Sequence, residues 1–299
     1  MESNGKTGLM ENAVVLELRF RKPSSHRKGD LDLVETPADK RKLSLGKKIW
    51  DCPEYIRLTG VASMFTGWLK TRELQSPFSA GMHLIPVGVL QEVYDRLDAA
   101  EAEYGDAADG FAAVVPSLVE ADRTALADQF CEADYAPPAE LRAACKVTRR
   151  LIDFSPPGAS KVGQVLSERE AVKWRAQLQE ATADVTAALR EAARKVFGNL
   201  ADRLGTKTDG KRSVLKAAGY EAVTEFLDLF DKRNIAGDTE LAEVVAAARR
   251  VLDGKTVDDV RDDRAFFKGE ADGIVAKLDT LVAAAPRRRI VLEEEAATR

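Results

Sequence analysis

Ser167 to Leu204 reads SEREAVKWRAQLQEATADVTAALREAARKVFGNLADRL, and the fold turns on how this stretch is read. Ser167 followed by Glu170 has the form of a capping box, in which each side chain satisfies the other's backbone amide at a helix start. Behind it Leu178, Val185, Leu189, Ala192, Val196, Leu200 and Leu204 recur at spacings of 7, 4, 3, 4, 4 and 4. That is a narrow seam, nearer a coiled-coil stripe than the broad apolar face of a globular helix. At 1.5 Å per residue the helix would reach roughly 55 Å, more than a compact core requires. The predicted partner is a second long helix. Residues 91–140 hold 13 acidic and 2 basic side chains, whereas residues 141–220 hold 16 basic and 8 acidic. Opposite charge favours laying the two rods side by side. Residues 87–204 are therefore expected to form an antiparallel, coiled-coil-like hairpin, with Leu178, Val185, Leu189, Val196 and Leu200 at its seam.

Working outward, Asn12 to Arg21 alternates Leu16, Leu18 and Phe20 against Glu17, Arg19 and Arg21, the period of a half-buried strand. Lys22 to Glu35 reads as a loop, and Thr36-Pro37 as the start of a short helix that Gly46 ends. Asp51-Cys52-Pro53-Glu54 opens a helix carrying Leu58, Val61, Phe65 and Trp68/Leu69. Gly81 to Pro86 is a short strand or an extended lead-in to the helix from Val87. Pro116 is expected to kink or interrupt that helix on its way to Tyr135. Pro137-Pro138 stops it, and a further helix covers Ala139 to Ile152. Downstream, Gly205 ends the long helix, and helices follow at about 214–233, 239–252 and 257–285. Asp238 or Thr239 caps the second of these, and Thr256 with Asp259 opens the third. Arg287 to Glu295 is expected to be a strand that returns to pair with Asn12–Arg21.

The fold class expected is thus mainly α: an elongated helical protein with the long hairpin and a small β element from the N- and C-terminal strands. Its parts would be a base at residues 1–86, the hairpin at 87–204, and C-terminal helices at 205–299 packing back on the base. Composition agrees. The chain has 299 residues, 45% hydrophobic and 31% charged, with only 6% aromatic, a balance that suits narrow helix–helix seams. There is no apolar run of membrane length and no apolar stretch before Ala13, so a cytoplasmic protein is expected. Three widely spaced cysteines read as free thiols.

Candidate chemistry is sparse. Gly205-Thr206-Lys207-Thr208-Asp209-Gly210-Lys211-Arg212-Ser213 falls one residue short of a phosphate-binding loop, because Arg212 stands where the magnesium-binding hydroxyl must follow the lysine. A basic inter-helix loop is the plainer reading. His26 and His83 with Cys52, Cys131 and Cys145 form no metal-ligand spacing. Asp258, Asp259, Asp262 and Asp263 alternate with Arg261 and Arg264, as on an ion-paired helix face. No catalytic, cofactor or metal residues are therefore assigned.

The motifs Leu43-Ser44-Leu45-Gly46-Lys47-Lys48, Asp51-Cys52-Pro53 and Gly81-x-x-Leu84-Ile85-Pro86, with the stretch Asn234 to Leu241, together resemble the domain-of-unknown-function 3150 family of phage- and prophage-associated proteins. The resemblance implies helical, non-enzymatic proteins, often encoded beside MoxR-type AAA+ ATPases and von Willebrand factor A proteins. It supplies no catalytic residues.

The function expected is a non-enzymatic interaction or scaffold protein of a phage or mobile-element system, contacting an AAA+ ATPase system or copies of itself. The alternative is nucleic-acid binding through basic clusters: Arg19, Arg21, Lys22, Arg27 and Lys28; Lys40, Arg41, Lys42, Lys47 and Lys48; and Arg287, Arg288 and Arg289. Against it stand a net charge of −4 and few aromatics near those residues.

Overall fold

The computed structural model describes residues 12–74, 81–152, 164–206 and 212–284, without the side chains of residues 164–171, 174, 175, 177 and 178. In chain order the elements are β1 (Ala13–Arg21), β2 (His26–Lys28), β3 (Gly46–Lys48), α1 (Pro53–Leu69), β4 (Met82–Pro86) and α2 (Val87–Leu126). They continue with α3 (Pro138–Ala144), β5 (Lys146–Ile152), α4 (Gln164–Leu204), α5 (Ala217–Arg233), α6 (Thr239–Leu252), α7 (Val257–Asp262) and α8 (Arg264–Ala284). The protein is mainly α with a small β element.

Among the described residues that β element pairs β1 with two strands from inside the chain. β1 is the central strand of an antiparallel sheet ordered β4-β1-β5. β4 pairs along Ala13–Glu17 and β5 along Val15–Arg21, so β1 already has a neighbour on each edge. The predicted strand at Arg287 to Glu295 lies outside the described residues. The helix expected over Ala139–Ile152 ends at Ala144. Beyond it the free edge of β1 offers Lys146–Ile152 seven residue pairs that a helix would forgo.

Other expectations shift for local reasons. β2 pairs with β3, so Lys22–Glu35 is not all loop and Gly46 begins a strand. Gly29 donates its amide to the Leu45 carbonyl at 2.8 Å, and a Cβ there would lie 2.7 Å from the Leu45 side chain, so this close approach requires glycine. Only a 3-10 turn, Lys40–Lys42, stands where a helix was expected. Its sequence offers too few apolar residues to bury a helical face. The residue capping α1 is Cys52 rather than Asp51, its sulfur accepting from the Tyr55 amide at 3.4 Å. Pro138 starts α3 instead of ending a helix, at the first helical position where its missing N–H costs nothing. Ser167 lies inside α4, three residues past its start. Asp238 caps α6, and Thr256 and Asp259 complete the expected capping box of α7. The last predicted helix is split at Asp263.

The hairpin of α2 against α4 is not formed. α4 packs on α8 and α5, and α2 packs on α1 and α3. Among the described residues no hydrophobic cluster draws side chains from both long helices. The apolar stripe of α4 is wider than its seam: Ala193, Phe197 and Ala201 are buried beside Leu189, Leu200 and Leu204. A face that broad needs several helices against it, and Tyr220, Val223, Phe226, Phe230, Val245, Ile274 and Leu278 of α5, α6 and α8 supply them. α2 instead buries Val93, Leu97, Tyr104 and Phe111 against α1, Trp50 and the inner sheet face. Its acids are neutralised by nearby arginines: Asp109 by Arg142, Asp98 and Glu101 by Arg149, and Glu92 by Arg72. The expected unit at 87–204 therefore divides at β5, the upstream part joining the sheet and the downstream part the C-terminal helices.

Candidate interaction surfaces

Of the five proposed seam residues, the four with described side chains are packed into the protein rather than set on a docking face. Val185 is buried with Ala13, Val15, Leu74 and Leu84 on the sheet, Leu189 and Leu200 are buried among the C-terminal helices, and Val196 is partly buried there. The Leu178 side chain lies outside the described residues.

The three basic clusters fare differently. In the second, Lys40 pairs with Asp32, Arg41 with Asp39, and Lys48 with Asp51. Lys47 is buried, 2.6 Å from Asp134 and donating to the Gln129 carbonyl at 2.7 Å. This cluster is largely neutralised by the protein itself. In the first, Lys22 sits 5.5 Å from the Tyr55 ring, and Arg27 donates to the carbonyls of Ser24 and His26. Lys28 is exposed in β2. Arg19 and Arg21 are exposed on β1. Arg287, Arg288 and Arg289 lie outside the described residues.

Strand β5 gives Arg19 and Arg21 neighbours that the sequence reading missed. Cross-strand partners share a sheet face, and on the face away from α1 and α2 the register sets Glu17 opposite Arg150, Arg19 opposite Thr148 and Arg21 opposite Lys146. Farther along this face Ala13 and Val15 are covered by Ala181 and Val185 of α4. Beyond Val15 the cover ends and the cations begin. Glu17, Arg19, Arg21, Thr148, Arg149 and Arg150 line a shallow depression of about 140 Å³. The sequence holds no period-two signal for Lys146 and Arg150, because Arg149 is charged and Leu151 and Ile152 are adjacent; only the pairing with β1 reveals the face they share.

A second surface lies on the outside of α1. From Leu58 to Leu69 the helix holds no charged residue, although 31% of the chain is charged. Tyr55, Leu58, Val61, Phe65 and Leu69 face the core. On the opposite side Ile56 is 62% and Met64 60% exposed, and a Cβ added at Gly60 or Gly67 would meet nothing within 4 Å. The hydroxyls of this helix are turned inward: Thr59 donates to the Ile56 carbonyl, Ser63 to Thr59 and Thr66 to Ala62, at 2.8–2.9 Å. Such back-bonding leaves little donor capacity for water. An outward helix face without charge departs from the ordinary pattern, in which charged and polar residues face solvent.

The remaining candidates have the following surroundings. His83 pairs with Glu73 at the edge of the sheet. Cys52 and Cys145 are buried and Cys131 is exposed, all three as free thiols, and burial pushes the Cys52 and Cys145 thiols above their ordinary range. Arg261 pairs with Asp258 and also reaches the Leu215 carbonyl, while Arg264 donates to the last carbonyls of α4. The glycine- and lysine-rich loop follows the end of α4, where the Ser213 amide donates to the Gly205 carbonyl at 3.1 Å. Its residues 207–211 lie outside the described residues. Among the described residues no three His, Cys, Asp or Glu side chains group as metal ligands, and no helix is long and apolar enough to cross a membrane. No protein-family model, curated protein or solved structure matches the chain.

Proposed function

We propose that this is a non-enzymatic interaction protein that self-associates through the outer face of α1. The observation that carries the reading is the uncharged run Leu58–Leu69, whose outward side presents Ile56 and Met64 on either side of Gly60. That order, large–small–large, is symmetric about Gly60. A two-fold interface requires such self-complementarity, because each patch meets its own copy. Two α1 helices crossing at Gly60 would approach closely, since neither carries a Cβ there, and each Ile56 would cover the partner's Met64. Burying these side chains contributes about 1.5–3 kcal/mol each.

Sedimentation equilibrium across a concentration series tests this. The wild type is expected to be a dimer, and Met64→Asp or Ile56→Asp to weaken association at least tenfold, about 1.4 kcal/mol, with unchanged circular dichroism. A wild type that stays monomeric at high micromolar concentration overturns self-association, and an unaltered dimer in both variants overturns the outer face of α1 as its site. The resemblance to the 3150 family supports an AAA+ ATPase as a further partner of an assembly of this kind.

A further inference from the structure

We infer that the open half of the sheet's outer face, built from Arg19, Arg21, Lys146, Thr148 and Arg150, binds the phosphodiester backbone of nucleic acid. It is a different surface from the α1 face and does not depend on it. β1 and β5 deliver the side chains to one plane, Arg21 directly opposite Lys146, with Arg19 and Arg150 on the adjoining positions. Like charges placed opposite each other destabilise a strand pair. Here Glu17 is the acid within the cluster, and Arg19, 53% exposed, holds it at 3.2 Å. Arg21, Lys146 and Arg150 have no side-chain hydrogen bond or ion pair among the described residues, in contrast to the neutralised Lys40–Lys48 cluster. The repulsion is relieved by a counter-charge from outside.

Geometry and chemistry point to phosphate in a chain. Guanidinium groups match phosphate oxygens through paired N–H donors. Along β1 the arginines repeat every second residue, about 7 Å apart, so they track an extended row of anions rather than converge on one. The two rows are about 4.8 Å apart, the width of a single backbone strand. Phe20 and Val147 point to the opposite face, into the core, so this one offers no ring on which a base could stack. Contacts of this kind position a nucleic acid without reading its sequence.

Fluorescence anisotropy of a labelled DNA duplex, titrated with the full chain at several salt concentrations, tests the site. Engaging about four phosphates predicts a slope of about −3 to −4 in log affinity against log salt. Arg21→Glu with Arg150→Glu is expected to weaken binding at least tenfold and make that slope shallower. Arg21→Gln with Arg150→Gln, milder for folding, is expected to weaken it several-fold. Lys40→Glu with Arg41→Glu, in the neutralised cluster, should change it less than threefold. Three outcomes overturn the inference: no wild-type binding at about 50 mM salt, undiminished binding by the folded Arg21/Arg150 variants, or displacement of the duplex by polyglutamate as readily as by unlabelled DNA.

Discussion

Asp238 carries an unusual number of the fold's obligations for one side chain. Its carboxylate is only 3% exposed and receives Arg190 through two nitrogens, at 2.6 and 2.9 Å, while also accepting from the Leu241 amide at 3.1 Å as the cap of α6. Asn234 brackets the same residue, accepting from its amide and donating to its carbonyl. Arg190 continues to Glu240 and to the Leu281 carbonyl, so α4, α6 and α8 meet at this point. Burial raises the Asp238 carboxyl, but the Arg190 and Leu241 bonds outweigh it and hold the group below its ordinary value. A depressed carboxylate contributes stability that is present above the unfolded value, about 3.9, and disappears as pH falls through the lower folded one. Asp238→Ala is expected to cost about 3 kcal/mol at neutral pH, the low end for a broken buried pair because Glu240 still reaches Arg190. Urea unfolding at pH 7 and near pH 3 checks both claims: the variant's deficit should shrink in acid. The capping role of Asp238 was legible from its place before Thr239-Glu240-Leu241; Arg190, 48 residues away, was not.

Among the elements, α2 is the one whose length runs against a local rule. Pro116 lies inside its 40 residues, where it removes one backbone donor and crowds the preceding turn. The helix nevertheless continues to Leu126, because Phe111 and Val115 before the proline are buried against the Trp50 and α1 core. Pro116 itself is exposed and contributes no packing to that core. Pro116→Ala should therefore stabilise the protein by about 1–3 kcal/mol, given the roughly 3 kcal/mol that proline costs in a helix interior. Differential calorimetry would show this as a higher melting temperature; a lower one would mean that the proline ring contributes more than it costs. β5 presents the converse case, a strand without a period-two pattern that forms because the edge of β1 is there to pair with.

At the scale of the molecule, a sheet-centred half and a C-terminal helical half are joined at specific places. Ala181 and Val185 of α4 lie on the sheet, and Leu229 of α5 is buried in the core formed by β1, α1 and α2. Arg72, stacked over Trp68, bridges Glu92 of α2 and Glu225 of α5. Leu229→Ala should cost about 2–5 kcal/mol, and Glu225→Ala less than about 1 kcal/mol, because its carboxylate is water-exposed. Chemical denaturation of the two variants side by side would establish whether apolar packing or the ion pair holds the halves together; equal losses would contradict this ranking.

The sequence by itself determined the helical class, the strand character of β1, the cap at Thr256 and the inward residues of α1, and it narrowed β4 to a strand or extended lead-in and the cap of α6 to Asp238 or Thr239. Each of these depends on periodicity or capping chemistry within a few residues. Only the tertiary structure decided that the two long helices part company, that β5 takes the second edge of β1, and that Arg21 meets Lys146. Those choices depend on which apolar face and which strand edge is covered by a segment distant in sequence. Complementary charge attracts weakly and at many places along a chain, whereas a buried apolar face or an unpaired edge accepts only a partner that fits it.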